Sequence, residues 1–351
     1  MADFCRCLAA HENEIIHLVA ANEGNAIALA AGYYVATGQP GLVYMQNSGL
    51  GNAVNPLLSL TDPTVFSLPV LILMGWRGEP GFKDEPQHAK QGLITQSLLA
   101  DMGLPFEVLP SNEEGIIAAL NLALRHFKEK SSPYVLLVRK NTFTSRRGVL
   151  PAPELSSELN REAAIKEIVE AFGSEARFVA STGMIARELF EYRGKTNTEH
   201  GNDLLVVGSM GHASSVALGL ALGNNRPIVC LDGDGAFMMH MGAAAISGVS
   251  KADNFHHIIL NNAAHDSVGG LGTVANQVDL AAVAQACAYK HVQKAVTRLD
   301  LKRELRSFAN LPGPSFLEVK VSKGARPDLG RPTESPKFNI ENFRQKLTSS
   351  L

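Results

Sequence analysis

Two polar motifs, each placed directly after a short apolar run, constrain the fold of this chain more than any other feature. The motif Gly233-Asp234-Gly235 follows residues 227–231, and the motif Asn261-Asn262 follows residues 257–260. Short apolar runs that end in such turns are typical of buried strands. The interval 236–250 has the composition of a helix. Because parallel strands joined by a helix end at the same edge of a sheet, both motifs are expected at one carboxyl edge.

The residue types in these motifs suit a metal-bound diphosphate. Glycine lets the backbone approach a phosphate closely, and the N-terminus of a helix attracts anions. Mg²⁺ takes hard oxygen ligands and keeps phosphate oxygens among them. We predict side-chain ligation by Asp234 and Asn262 and backbone-carbonyl ligation by Ala264. Gly235 and Ala236 would offer N–H groups to the phosphate. The alternative is a plain turn followed by a plain loop.

Strands and helices alternate along both halves of the chain, which predicts an α/β fold with two doubly wound parallel-sheet domains. Predicted strands in the first half include residues 15–20, 41–45, 70–74 and 134–138. A segment rich in proline and polar residues separates the halves and leaves no room for a middle domain. We divide the chain into a first domain at 1–145, a linker at 146–160, a second domain at 161–325 and a C-terminal arm at 326–351.

Composition and charge argue against several classes of protein. A net charge of −2 gives no reason to expect a nucleic acid or an anionic membrane as partner. No apolar run approaches the roughly 18 residues that a membrane span needs. The four cysteines lack the paired spacing of a zinc site, and no secretory signal is visible. Reduced thiols and a cytoplasmic location are therefore expected.

Several longer motifs resemble those of the thiamin-diphosphate-dependent 2-oxoacid decarboxylases. They are the segments 22–26, 44–52 and 232–236. Within that family, the segments 75–81, 84–88, 208–214 and 264–270 are most similar to the members that act on phosphonopyruvate. The resemblance implies the cofactor thiamin diphosphate with Mg²⁺ and a carboxy-lyase activity. It also implies conversion of 3-phosphonopyruvate to phosphonoacetaldehyde and CO₂ in phosphonate biosynthesis.

The resemblance also implies roles for individual residues. Glu23, at the predicted start of an alanine-rich helix, matches the glutamate that hydrogen-bonds N1′ of the aminopyrimidine and so promotes loss of the thiazolium C2 proton. Without the resemblance, Glu23 would be a carboxylate favoured by the helix dipole. From their position just after the Asn261-Asn262 motif, and not from the resemblance, we expect His265 and Asp266 either to carry protons or to hold the ligand loop in place, with an ordinary loop histidine as the alternative for His265. The implied cofactor cradle comprises Ser181, Thr182, Gly183, Gly208, Ser209, Met210, Gly211, His212, Gly233, Gly235 and Ala236.

Two members of this cradle have more specific interpretations. Met210 is a hydrophobe suited to hold the cofactor in its bent form, although ordinary core packing would also place a methionine there. His212 precedes an apolar helix and is either a helix cap or a phosphate contact.

A dianionic phosphonate needs cations or hydrogen-bond donors around it. The long loop predicted over residues 75–91 is of a length that is often functional. The alternative is that its cations are solvated and paired with acidic residues of the same loop. The candidate substrate residues are Asn47, Ser48, Arg77, Lys83 and His88.

The family arrangement implies a homo-oligomer with active sites between subunits, so that Glu23 and Asp234 of different subunits would share one site. Sulfopyruvate decarboxylase remains an alternative, as does a truncated, non-catalytic paralogue. The second alternative arises because the family's first strand and its acidic loop have no counterpart before Asp3. A carboligase related to acetolactate synthase is disfavoured because it would need a third domain. The segment 271–273 also departs from the Gln-Pro-Thr expected of the family.

Overall fold

The computed structural model describes residues 2–11, 14–143, 158–196, 198, 200–266 and 270–348. Contacts within the chain define two compact units, Met1–Val149 and Leu150–Leu351. Residues 146–157 of the expected linker lie outside the described residues, as do Ser267, Val268 and Gly269 of the segment 264–270.

Unit 1 alternates helices and strands. Its helices are α1 (Ala2–Ala10), α2 (Glu23–Thr37), α3 (Leu50–Ser59), α4 (Pro86–Asp101) and α5 (Glu113–Lys130). Its strands are β1 (Gly41–Gln46), β2 (Val70–Gly75), β3 (Phe106–Val108) and β4 (Tyr134–Val138). The strands lie in the order β1-β2-β4-β3 and every neighbouring pair is parallel.

Local sequence sets the ends of the unit 1 helices. The Asn22 side chain accepts a hydrogen bond from the Asn25 N–H at the start of α2, and Gly38 ends that helix in the left-handed region at φ 70°. Asn112 caps α5 in the same way as Asn22 caps α2. Such caps satisfy backbone groups that a helix end leaves without partners.

Two predictions for unit 1 are wrong. Residues 15–20 form no strand, and Ile16 and Leu18 are exposed. Their apolar pattern is that of a strand, but no described strand pairs with them. The predicted loop 75–91 is also shorter, because α4 begins at Pro86, a residue type favoured in the first turn of a helix.

Unit 2 contains a larger sheet. Its strands are β5 (Arg177–Ala180), β6 (Asp203–Leu205), β7 (Ile228–Gly233), β8 (Phe255–Asn261), β9 (Ala264–His265), β10 (Leu271–Gly272), β11 (His291–Ala295) and β12 (Ser315–Lys320). Its helices are α6 (Arg161–Phe172), α7 (Met184–Thr196), α8 (Ala213–Leu222), α9 (Asp234–Met239), α10 (Gly242–Val249), α11 (Leu280–Ala286), α12 (Arg298–Phe308) and α13 (Pro336–Thr348).

The main sheet of unit 2 is parallel and buried on both faces. Its strand order is β11-β12-β8-β7-β5-β6, while β9 and β10 form a small antiparallel pair. Consecutive strand residues such as Cys230 and Leu231 belong to hydrophobic clusters on opposite faces. Helices therefore cover both faces, and the predicted doubly wound fold is confirmed for both units. The helix predicted over 236–250 is instead two helices, α9 and α10, separated at His240.

Among the described residues, no helix combines the length and the apolar character needed to cross a bilayer.

Candidate active site

Four neighbouring strands of unit 2 deliver the predicted residues to one edge of the sheet. The strands β6, β5, β7 and β8 are adjacent and parallel, so their carboxyl ends lie together. A pocket opens at this edge, as expected for a doubly wound sheet. The predicted residues that line it are Ser181, Thr182, Met210, Gly233, Asp234, Gly235, Ala236, Asn262, Ala264, His265 and Asp266.

Asp234 is the most deeply placed charged group of the pocket. It is the first residue of α9 and is 2% exposed. The Thr273 hydroxyl donates a hydrogen bond to its Oδ2. Burial raises the pKa of Asp234 to about 6, although hydrogen bonds from Thr273 and from the Asn262 backbone act in the opposite direction. A bound cation would stabilise the ionised form of such a buried carboxyl. Asp234 is a predicted side-chain ligand of Mg²⁺.

The two asparagines at the end of β8, Asn261 and Asn262, face different surroundings. Asn261 is turned into the core, where its Nδ2 donates to Glu318 Oε1 at 2.7 Å. Asn262 lines the pocket, and its Nδ2 donates to Asp266 Oδ2 at 2.6 Å. Its Oδ1 accepts from the Ala264 N–H at 3.1 Å. Because Nδ2 is bonded to Asp266, Oδ1 is the amide atom of Asn262 that would ligate a metal ion in the pocket.

His265 packs against the backbone of the glycine motif. A Cβ atom placed on Gly235 would lie 2.4 Å from His265 Cε1 and 2.6 Å from its Nδ1. Burial lowers the pKa of His265, so the imidazole is neutral at pH 7. Gly235 therefore gives room to the histidine ring as well as to an anion.

Three residues in the rest of the predicted cradle have a left-handed backbone conformation. Gly183 and Gly211 have φ values of 100° and 85°, and Ser209 has φ 48°. Left-handed residues that follow successive strands shape loops whose N–H groups bind anions. The Thr182 hydroxyl donates to the Val207 carbonyl at 2.9 Å, which ties two of these loops together.

Five residues of the predicted cradle do not line the pocket. They are Gly183, Gly208, Ser209 and Gly211, which lie in these loops, and His212. The His212 side chain makes no capping hydrogen bond to α8. Its ring lies 4.4 Å from the ring of His240, and both line a second depression. His212 is the N-cap residue of α8 by position, but its side chain does not cap the helix, because its imidazole lies beside His240.

Glu23 lies in unit 1 at the start of α2. The Asn52 Nδ2 donates to its Oε2 at 2.8 Å. A Cβ atom on Gly49 would lie 2.3 Å from Glu23 Oε1. The motifs 22–26 and 44–52 therefore meet in the structure, with Gly49 leaving space for the carboxyl and Asn52 orienting it.

The predicted substrate residues differ in burial and in how far their polar groups are already bonded. Asn47 is buried, its Nδ2 donates to the Arg77 carbonyl and the Thr95 hydroxyl, and its Oδ1 accepts from the Arg77 N–H. Arg77 forms a two-point ion pair with Asp84, at 2.8 Å and 2.5 Å. This pair lowers the pKa of Asp84 to about 2. The structure therefore supports the alternative that Arg77 is already neutralised, because the carboxylate lies in the same short loop.

Three substrate candidates remain accessible. Lys83 is exposed, and Ser48 and His88 are half-buried. Burial, together with the nearby Arg77 charge, lowers the pKa of His88, so its ring is neutral at pH 7.

Sequence reasoning missed Arg161, which lines the unit 2 pocket together with the apolar residues Met184, Ile185 and Leu260, and it missed the contact of Thr273 with Asp234. Thr273 was noted only as part of a departure from the family pattern, yet its hydroxyl contacts Asp234. Arg161 lies at the start of α6 and reaches Asp266 with its Nη1 at 3.0 Å. Thr273 is separated from Asp234 by 39 residues in the sequence, and Arg161 from Asp266 by 105. No local sequence pattern therefore predicts these two contacts.

Comparison with known proteins agrees with this geometry. The model of the thiamine pyrophosphate enzyme N-terminal TPP-binding domain matches residues 1–99, and that of the C-terminal TPP-binding domain matches residues 179–319. The phosphonopyruvate decarboxylase of Streptomyces viridochromogenes is 33% identical over 95% of this chain and 85% of its own length. That of Streptomyces hygroscopicus is 33% identical over 95% and 84%. The sulfopyruvate decarboxylase of Methanosarcina acetivorans is 27% identical over 93% and 86%.

The chain therefore belongs to the thiamine pyrophosphate-dependent 2-oxoacid decarboxylases, in the family that contains the phosphonopyruvate decarboxylases. The predicted class of enzyme and the predicted cofactor, thiamin diphosphate with Mg²⁺, are confirmed. The residues of unit 2 fit that group, because a buried carboxylate and an oriented amide oxygen face one pocket beside glycine-rich backbone.

Proposed function

We propose that this enzyme decarboxylates 3-phosphonopyruvate to phosphonoacetaldehyde and CO₂ and serves phosphonate biosynthesis. The observation that carries the proposal is the similarity to two phosphonopyruvate decarboxylases over 95% of this chain, and the pocket that Asp234, Asn262 and Ala264 line supports it. The sulfopyruvate decarboxylase of similar length is less similar, at 27% identity.

The pocket of unit 2 would hold the diphosphate and its Mg²⁺. Asp234 Oδ, Asn262 Oδ1 and the Ala264 carbonyl would supply oxygen ligands, which are the ligands that Mg²⁺ prefers. The N-terminus of α9, at Gly235 and Ala236, would offer backbone N–H groups to phosphate. When bound, thiamin diphosphate supplies a nucleophilic carbon and an electron sink for the loss of CO₂.

Glu23 would act on the other end of the cofactor by holding a proton in a hydrogen bond to N1′. Its carboxyl is already oriented by Asn52 and confined by Gly49. A fixed carboxyl stabilises the required tautomer without reorganising during the reaction. Met210 would pack against the cofactor from the pocket wall.

The phosphonate would be bound by the accessible donors of unit 1. Lys83 is exposed and forms no ion pair among the described residues, so its charge is available to an anion. Ser48 and the neutral His88 ring would add hydrogen bonds. Arg77 and Asn47, which are already paired, would hold the loop instead.

We also propose that the enzyme works as a homo-oligomer with its active sites between subunits. The side chains of Leu29, Tyr33 and Val35 on α2, the helix that begins with Glu23, are 50%, 41% and 71% exposed. An apolar helix face next to a predicted catalytic residue is the kind of surface that a second copy of the chain would bury. Light scattering should then give a mass that is a multiple of 37.6 kDa.

The decisive experiment supplies the purified protein with thiamin diphosphate, Mg²⁺ and either 3-phosphonopyruvate or sulfopyruvate. We expect aldehyde and CO₂ from the phosphonate with a larger kcat/KM than from the sulfonate. A preference for the sulfonate would replace the proposed substrate. Binding of the cofactor without turnover of either acid would instead support a non-catalytic paralogue.

A further inference from the structure

Asp266 is hydrogen-bonded to the side chain of Asn262, which is a predicted metal ligand. Its Oδ2 accepts three hydrogen bonds, from Asn262 Nδ2 at 2.6 Å, from Arg161 Nη1 at 3.0 Å and from the Gly324 N–H at 3.1 Å. The side chain is only 9% exposed. A carboxylate oxygen engaged in this way is a fixed acceptor and has little freedom to carry protons.

Arg161 holds this carboxylate from the other side. Its guanidinium is 5% exposed and donates to both oxygens of Glu188, at 2.7 Å and 2.9 Å. It also donates to the Gly324 carbonyl at 3.2 Å. A buried guanidinium that donates several N–H groups to fixed acceptors is restricted to one orientation, because the group is planar. Arg161 thereby connects the start of α6, helix α7 and the residue that follows β9.

The amide of Asn262 is the group that this network orients. An amide has an oxygen pole and a nitrogen pole of nearly equal size, and only the oxygen can ligate Mg²⁺. Because Nδ2 is held by Asp266, Oδ1 is directed away from Asp266, where it also accepts from the Ala264 N–H. Loss of the acceptor at 266 would let the amide rotate and present its N–H₂ group to the metal.

We propose that Asp266, fixed by Arg161 and Glu188, is a positioning residue that sets the Asn262 amide for metal binding. This inference rests on the proposed use of Asn262 as a Mg²⁺ ligand. It assigns Asp266 the holding role, one of the two roles that the sequence left open, and it adds Arg161 and Glu188 to the metal site.

Two substitutions of Asp266 separate positioning from proton transfer. Asp266→Ala removes the acceptor, so the affinity for Mg²⁺, titrated calorimetrically into protein saturated with thiamin diphosphate, should fall about 10–100-fold. Turnover should recover when Mg²⁺ is raised to saturation. Asp266→Asn keeps an acceptor oxygen towards Asn262, so its Mg²⁺ affinity should fall much less than that of Asp266→Ala, and any loss of turnover should follow the loss of Mg²⁺ affinity. A loss of turnover of about 10²–10⁴ in Asp266→Asn with unchanged Mg²⁺ affinity would overturn the proposal.

A second buried ion pair in the same unit provides the control. Arg193 donates to both oxygens of Asp203 at 2.9 Å, and the pair is as buried as that of Arg161. Asp203 begins β6, so it lies at the amino end of the sheet, away from the pocket. Asp203→Asn should lower the melting temperature without changing Mg²⁺ affinity.

Equal losses of Mg²⁺ affinity in Asp203→Asn and Asp266→Ala would show a general loss of stability and would overturn the proposal. Unchanged affinity in Asp266→Ala would do the same. Because the readout is metal affinity, a wild-type protein that binds Mg²⁺ but makes no aldehyde refutes the proposed substrate alone.

Discussion

The two units hold their predicted site residues in different ways. In unit 2 the predicted ligands are buried and held by several partners, as in the chain of bonds from Arg161 through Asp266 to Asn262. In unit 1 the carboxyl of Glu23 is half-buried and is bonded by Asn52, next to a helix with an exposed apolar face. Unit 2 therefore fixes its predicted ligands through several buried partners, whereas the predicted catalytic carboxyl of unit 1 lies on a helix with exposed apolar residues.

This difference has an energetic side. Holding Asp234 in a buried pocket destabilises its ionised form, and bound Mg²⁺ would offset that cost. Glu23 lies at a helix start, where the dipole favours a carboxylate. Substitutions should consequently alter function and stability together in unit 2, and function alone at Glu23.

Glu23→Gln should give the largest effect. The variant keeps the size of the side chain but cannot hold the proton, so turnover should fall by roughly 10²–10⁴ with little change in melting temperature. Glu113→Gln is a matched control, because Glu113 is also the first residue of a helix capped by asparagine. Steady-state kinetics of both variants measures the difference. Near-normal turnover in Glu23→Gln would remove Glu23 from its proposed role.

Asp234→Asn should change binding and stability in opposite directions. The variant should lose measurable Mg²⁺ binding in calorimetry, since it removes the charged ligand. Because the pKa of Asp234 is raised to about 6, the ionised group costs the metal-free protein up to about 3 kcal/mol above that pH. Denaturant unfolding at pH 8 without metal should therefore show the variant to be more stable than wild type. Equal destabilisation with and without Mg²⁺ would contradict this account.

A buried histidine should make the stability of the chain fall in mild acid. Burial lowers the pKa of His256 to about 4, and its ring packs against Phe172 and Phe308. The neutral form is favoured in the folded state, so this stability is present above the unfolded pKa near 6.5 and is lost as the pH falls to about 4. A shift of this size corresponds to about 3 kcal/mol.

Unfolding of His256→Asn should accordingly depend less on pH between 6.5 and 4 than unfolding of wild type. His126 in unit 1 supplies the comparison, because its pKa is also lowered by burial but its side chain is only half-buried. His126→Asn should flatten the pH dependence much less. An equal effect of the two substitutions would show that the units do not differ in this respect.

Glycine-to-alanine substitutions give the smallest and most direct test of the comparison. A Cβ on Gly235 would strike the rigid His265 ring, whereas one on Gly49 would strike the flexible Glu23 side chain, and both of these side chains are half-buried. We expect Gly235→Ala to cost about 1–3 kcal/mol and Gly49→Ala less, since the Glu23 side chain is freer to move. Gly242→Ala and Gly51→Ala are controls, because nothing lies within 4 Å of either added methyl group. A larger loss of stability in Gly49→Ala than in Gly235→Ala would contradict the view that unit 2 holds its site residues more firmly than unit 1.

The sequence by itself determined the parallel α/β architecture and the edge of the sheet at which the pocket opens. Period and turn residues are local properties, so the strands before Gly233-Asp234-Gly235 and Asn261-Asn262 could be read directly. The same local pattern misled at residues 15–20, where a strand needs a partner that the described structure does not provide.

Only the tertiary structure decided which polar groups meet. The sequence does not distinguish Asn261, which turns to Glu318, from Asn262, which turns to the pocket, because the alternation of a strand breaks where the strand ends. It likewise gave no sign that Arg161 would bond Asp266 or that Thr273 would bond Asp234. Such contacts join residues far apart in the chain, and their partners are fixed by the packing of whole helices and strands, for which no local pattern is a substitute.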